Sequence, residues 1–162
     1  MGPVDANTSG NVHGGVILRL VDEVAGIAAV RHCGLQVVTA ALDRMTFLHP
    51  VFIGDLVTLR ASVNAAWTTS MEVGVRVEAE KVPTRAITHT STAYLTFVAL
   101  DEEGRPAEVA PLRPETPEEL RRGREAQLRR DNRLGERRSI EAGRADGASR
   151  GGGRAARPGA PA

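Results

Sequence analysis

The sequence predicts an α+β domain in which an antiparallel sheet wraps around one long central helix. Three observations carry this expectation. Val16 to Val30 is an almost unbroken apolar run of helical length, interrupted by Arg19, Asp22 and Glu23. Strand-like segments then follow one another, two of them with the sustained apolar–polar alternation of half-buried strands. Helices do not alternate with these strands, which argues against a doubly wound parallel sheet.

The elements follow in chain order. The helix spans about Gly14 to His32, with His13, Gly14 and Gly15 at its front. Its apolar residues fall on every side, and such a helix needs cover on every side. Val37 to Arg44 is the first strand. In "LVTLRASVNAAW", Val57, Leu59, Ala61 and Val63 share one face, and Thr58, Arg60, Ser62 and Asn64 the other. In "SMEVGVRVEAE", Met71, Val73, Val75, Val77 and Ala79 oppose Glu72, Arg76, Glu78 and Glu80. "THTSTAYLTFVAL" is the fourth strand. One face is expected to be wet, which fits antiparallel pairing. Turns are expected at Gly54-Asp55, Thr68-Thr69 and Val82-Pro83-Thr84.

The main domain is expected over residues 1–114. A solvated helix should occupy 115–138, with Thr116 as N-cap and Pro117, Glu118 and Glu119 in its first turn. Residues 139–162 are rich in Gly, Ala and Arg and too poor in apolar side chains to order themselves.

Composition narrows the function classes. The chain has 162 residues, 41% of them hydrophobic, enough for one domain with a core. A net charge of +1, from 21 basic and 20 acidic residues, gives no global field toward nucleic acid or a membrane. Aromatic content of 3% argues against base-stacking surfaces, so nucleic acid is not an expected partner. Cys33 is the only cysteine, which rules out an internal disulfide and suits the cytoplasm. The Val16–Val30 run is too short and too broken by charge to span a bilayer, so a soluble cytoplasmic protein is expected. His13, His32, His49 and His89 show no paired ligand spacing, so no metal is expected.

One sheet of this size cannot cover both flanks of an all-round apolar helix. A second copy, joined sheet edge to sheet edge, completes the enclosure. That shape is a hot-dog fold.

At this point the residues carry a family likeness. "NTSGNVHGGVILRLVDEVAGIAAVRHC", "VTAALDRMTFLHPVFIGDLVTLRASV", "TTSMEVGVRVEAE" and "TAYLTFVALDEEGRPAEVAPLRPET" resemble the hot-dog acyl-CoA thioesterases. The cytosolic, brain-type acyl-CoA hydrolase group and its bacterial relatives are most similar, from about Val4 to Arg121. The shared elements are N-x-x-G-x-x-x-G-G, a helix carrying an acid, V-T-x-x-x-D-x-x-x-F-x-x-P, a Gly-Asp turn and a T-S-M strand start.

The resemblance implies hydrolysis of acyl-CoA to a free acid and coenzyme A, with no cofactor beyond the substrate's own coenzyme. It implies that Asn7 and Asp22 are the catalytic pair and come from different subunits of a homodimer. Many relatives join three such dimers into a hexamer. It also implies that Thr69 and Ser70 lie near the pantetheine arm. Relatives carry a strand ahead of the asparagine loop, and "MGPVDANTSG" leaves no room for it, so the first strand is expected to be missing or truncated.

The chemistry is consistent with these residue types. A thioester is already activated, because its thiolate leaving group has a pKa of about 8.5. Hydrolysis then needs an activated water, a site for charge on the carbonyl oxygen, and exclusion of solvent. Asp22 can act as general base or as a nucleophile forming a mixed anhydride. An unpaired carboxylate in so dry a helix costs several kcal/mol, which favours a functional reason for it. Asn7 can orient water or carbonyl through its amide. Gly14 and Gly15 open the helix, where N–H groups lack intrahelical partners, and can hold the thioester oxygen. His13 is a packing or hydrogen-bonding residue near the substrate. Arg44, Arg85 and Arg113 are candidates for coenzyme A phosphates. The acyl tail would follow the strand face bearing Phe47, Val51 or Ile53.

Two other classes compete. A non-catalytic acyl-CoA-binding module would use the arginine-rich tail for a partner, but both Asn7 and Asp22 are present. A hot-dog hydratase or dehydratase would place a histidine base with its acid, and the helix offers no internal histidine.

Overall fold

The computed structural model describes residues 1–151, with side chains through Arg144. The chain divides into two compact units, Met1–Ala126 and Gln127–Ala162.

In the first unit, α1 spans Gly14–Cys33. Ala, Leu, Val and Ile fill it without proline, and Gly34 ends it in the left-handed conformation at φ 69°. The Gly34 N–H donates to the Val30 carbonyl at 2.8 Å, with Arg31 and His32 in the last turn. Ile17, Val21, Ala25 and Ala29 recur every four residues and form the buried stripe. Burial of Ile17 and Val21 contributes about 1.5–3 kcal/mol each.

Four strands follow: β1 Gln36–Phe47, β2 Leu56–Ala66, β3 Ser70–Lys81 and β4 Ala86–Leu100. They pair antiparallel throughout, in the order β1-β4-β3-β2, so β1 and β2 are the edges. The helix lies on the face built from Met71, Val73 and Val75 with their β4 partners Phe97, Leu95 and Ala93. Ahead of α1 no strand is present among the described residues: residues 3–5 form a 3₁₀ turn, and Ala6 meets Val12 in an isolated bridge.

The sheet covers only one side of α1. Leu18, Ile27 and Val30 remain 37%, 54% and 44% exposed. A helix that is apolar all round is thus half enclosed by its own chain.

Three expectations need correction. First, β1 runs on past Arg44 to Phe47. Two register shifts, at Thr39/Ala41 and Leu42/Arg44, break its alternation, which is why period-two reading stopped early. Second, the supposedly wet face is partly dry. Glu72 is 0% and Asn64 3% exposed, and the Asn64 Nδ2 donates to Glu72 Oε1 at 3.0 Å. Third, the C-terminal helix α2 spans Pro117–Gly151, well beyond residue 138. Its opening turns belong to the first unit, with Ala126 fully buried and Gly123 close to the Asn64 carbonyl. Small residues, not an apolar stripe, let that end of the helix lie close to β2.

Thr116 caps α2 as expected. Its hydroxyl accepts from the Glu119 N–H at 3.2 Å, and the Glu119 carboxylate accepts from the Thr116 and Glu115 N–H groups. The second unit carries the remainder of α2, with Leu128, Leu134 and Ile140 exposed and Arg137 paired to Glu141 at 2.8 Å. Of the stretch expected to be disordered, 139–151 is helical and 152–162 lies outside the described residues. No helix of the described chain is long and apolar enough to cross a membrane.

Candidate active site

The loop before α1 is a tight, self-bonded turn. The Asn7 N–H donates to the Asn11 carbonyl at 2.7 Å, and Gly10, at φ 78°, closes back on the Asn7 carbonyl at 3.0 Å. The Asn7 side-chain Oδ1 accepts from the N–H groups of Ser9 and Asn11 at 2.9 and 3.1 Å. Those two donors fix which end of the amide is oxygen. Among the described residues the amide nitrogen has no acceptor. Asn7 lines a cleft of about 350 Å³ with Gly14, Ile17, Phe47 and His49.

His13 is the N-cap of α1, and its Nδ1 accepts from the Gly15 N–H at 2.9 Å. The Gly15 N–H is thus engaged by the cap. Among the described residues the Gly14 N–H has no acceptor, and Gly14 lines the Asn7 cleft. Gly14 also lies against the Phe47 ring, since a Cβ there would stand 3.3 Å from it.

Asp22 projects from the middle of α1 and is half-buried. The Thr39 hydroxyl of β1 donates to Asp22 Oδ1 at 2.7 Å. Arg19, on the same stretch of helix, is engaged by Glu23 at 2.8 Å. Among the described residues Asp22 Oδ2 has no donor. Gly15, Leu18 and Asp22 recur at the spacing of one helix face, and with Thr39, Leu42 and Leu95 they line a groove of about 400 Å³.

Within one chain the two halves stay apart. Asn7 with Gly14 lines one cleft and Asp22 the other. At 1.5 Å per residue, Gly14 and Asp22 are separated by roughly 12 Å along the helix. Arg44 pairs with Tyr94 on the sheet face away from α1 and is exposed. Thr69 and Ser70 sit at the β2–β3 turn, where Thr69 and Ser70 carbonyls accept from Ala99 and Trp67. Thr69, Ser70 and Arg44 line neither cleft. Of the acyl-tail candidates, Phe47 and Val51 line the Asn7 cleft. No group of three His, Cys, Asp or Glu could hold a metal among the described residues.

Sequence reasoning missed Thr39. The signal was in "VVTAALD", part of the V-T-x-x-x-D element, but nothing in the sequence showed that this hydroxyl would meet the helix acid.

Comparisons with known proteins agree on one family. The model of the thioesterase superfamily matches residues 9–86. The Bacillus subtilis protein named as an uncharacterized acyl-CoA thioester hydrolase, YkhA, is 41% identical over 118 residues, 73% of this chain and 69% of that protein. The chain belongs to the acyl-CoA thioester hydrolases of the thioesterase superfamily. Its α+β arrangement is the hot-dog fold of this family. The Staphylococcus aureus acyl-CoA hydrolase, solved with butyryl coenzyme A and coenzyme A, superimposes with a TM-score of 0.82 at 36% identity. That match covers 91% of this chain and 90% of the other. A hexameric acyl-CoA thioesterase in its apo form gives 0.81 at 38% identity, over 84% and 87% of the two chains. The Staphylococcus enzyme has also been solved with an asparagine, an aspartate and a threonine each changed to alanine.

Proposed function

We propose that this thioester hydrolase cleaves acyl-CoA at a site shared by two copies of the chain. Asp22 of one copy activates the attack and Asn7 of the other holds the carbonyl oxygen. The observation that carries the reading is the Thr39–Asp22 hydrogen bond at the edge of an apolar groove. In the Staphylococcus enzyme the asparagine precedes the aspartate by fifteen residues and the threonine follows it by seventeen. Asn7, Asp22 and Thr39 have the same spacings.

The roles follow from donor and acceptor counts. The Thr39 hydroxyl occupies Asp22 Oδ1 and leaves Oδ2 free to accept a proton from water or to attack the carbonyl carbon itself. The Asn7 amide nitrogen and the Gly14 N–H are donors without partners among the described residues, suited to the developing oxyanion. Addition of water's oxygen to the carbonyl carbon is followed by cleavage of the C–S bond. The thiolate departs and takes up a proton, leaving the free acid. Coenzyme A is substrate and product rather than cofactor.

Two copies are needed because one chain separates the donors from the carboxylate. The half-enclosed α1 and the unpaired edge of β1 supply the surface for the second copy. We assign a homodimer as the working unit, three of which make the hexamer of relatives, in the cytoplasm. The test is thiol release from a panel of acyl-CoAs by wild type and Asp22→Ala. The reading predicts that the variant loses at least a hundredfold in kcat, a typical scale for a positioned base. Equal rates in the two proteins would remove Asp22 from the mechanism, and coenzyme A binding without turnover in wild type would leave a binding module.

A further inference from the structure

We infer that the two extra residues in β1 set the acyl selectivity of the site by seating Leu42 beside Asp22. This rests on the reading that Asp22 acts on an acyl thioester. From Val37 to Phe47, the residues opposite the helix-facing side of β4 are Val37 on Ala99, Thr39 on Phe97, Leu42 on Leu95, Met45 on Ala93 and Phe47 on Ser91. The register steps past Ala40 and Asp43, which are the extra residues of two bulges. The spacing on the helix side is therefore three between Thr39, Leu42 and Met45.

Unbroken alternation from Thr39 would present Ala41 and then Asp43 to α1. The bulges replace that pair with Leu42. Asp43 turns to the opposite face, where its Oδ2 lies 3.5 Å from the Thr96 hydroxyl. Asp43 facing α1 would bring a second carboxylate toward Asp22, where it would repel the first and wet the groove. With Leu42 there, the wall next to Asp22 and Thr39 is Leu18, Leu42 and Leu95, and Arg19, which also lines the groove, is engaged by Glu23.

The occupant that fits is the acyl tail, the apolar part of a substrate whose carbonyl must lie at Asp22. The pantetheine arm carries two amides that leucines cannot satisfy. From Asp22 the groove reaches Gly15, seven residues of helix or roughly 10 Å. An extended chain advances about 1.2 Å per bond, so roughly eight carbons fill it.

The experiment compares kcat/KM for acetyl-, butyryl- and octanoyl-CoA in wild type, Leu42→Ala, Leu42→Phe and Ala41→Ser, with molar mass measured for each. Both Leu42 variants should lower the octanoyl-to-acetyl ratio about tenfold, the alanine by losing contacts and the phenylalanine by blocking the groove. Ala41→Ser, one residue away on the other face, should keep the wild-type ratio, and all four proteins the same mass. An unchanged ratio in both Leu42 variants, an equal fall in Ala41→Ser, or uniform loss with dissociation would overturn the assignment. Wild type inert toward all three thioesters would contradict the proposed function itself, a different result from an unchanged ratio.

Discussion

The Thr39 hydroxyl donates to Asp22 Oδ1 at 2.7 Å, tying the edge strand to the middle of the central helix. This bond decides the orientation of the carboxylate. It leaves Oδ2 without a donor among the described residues.

Thr39→Val should therefore lower kcat/KM for acyl-CoA about tenfold, the equivalent of one hydrogen bond to a charged group. Thr39→Ser keeps the hydroxyl and should recover most of the activity. The check is steady-state kinetics on both variants, with loss in kcat rather than KM. Equal impairment by valine and serine would mean that Thr39 acts through packing.

His13→Ala removes the side-chain cap of α1 and leaves the Gly15 N–H without its 2.9 Å partner. Loss of a cap costs about 1 kcal/mol. Thermal unfolding should show a Tm lower by a few degrees, about 2–4 °C for a chain of this size.

Gly74→Ala should cost more. A Cβ at that position would meet Asn64 Nδ2 at 2.6 Å, forcing Asn64 off the buried Glu72 carboxylate it now serves. Overpacking and a lost charge-assisted bond together suggest about 2–3 kcal/mol. Urea denaturation measures it, and a loss below ~0.5 kcal/mol would mean that β2 and β3 can part without penalty.

The start of α2 should respond to acid. Backbone N–H donors from Glu115 and Thr116 hold the Glu119 carboxyl below its ordinary value of 4.5. A depressed folded-state value means that the stabilisation is present above pH 4.5 and is lost as pH falls through the folded value. The protection factors of the Glu115 and Thr116 amides, measured against their intrinsic exchange rates, should fall below that range, and Glu119→Gln should flatten the dependence.

How much of this was legible varies with the element. The long helix, its glycine start and the hairpin strands β2 and β3 follow from period and turn chemistry, and α1 ends within one residue of expectation. The close approach of Gly74 to Asn64, inside "SMEVGVRVEAE", emerged only from the structure. The end of β1 was hidden because two bulges turn a period of two into a spacing of three. The dry patch at Asn64 and Glu72 was hidden because the start of α2, with Gly123 near the Asn64 carbonyl, lies close to it without any hydrophobic stripe. Thr39 was written in the motif, yet its role needed the strand's path beneath α1.

The proposed site is completed by Asn7 and Asp22 of different copies. The most direct measurement mixes Asn7→Ala with Asp22→Ala protein, allows subunits to exchange, and follows thiol release. Each variant alone should be nearly inactive. The mixture should regain roughly a quarter of wild-type activity, because one in four randomly paired sites keeps both groups. Verified exchange with no recovery would contradict the account.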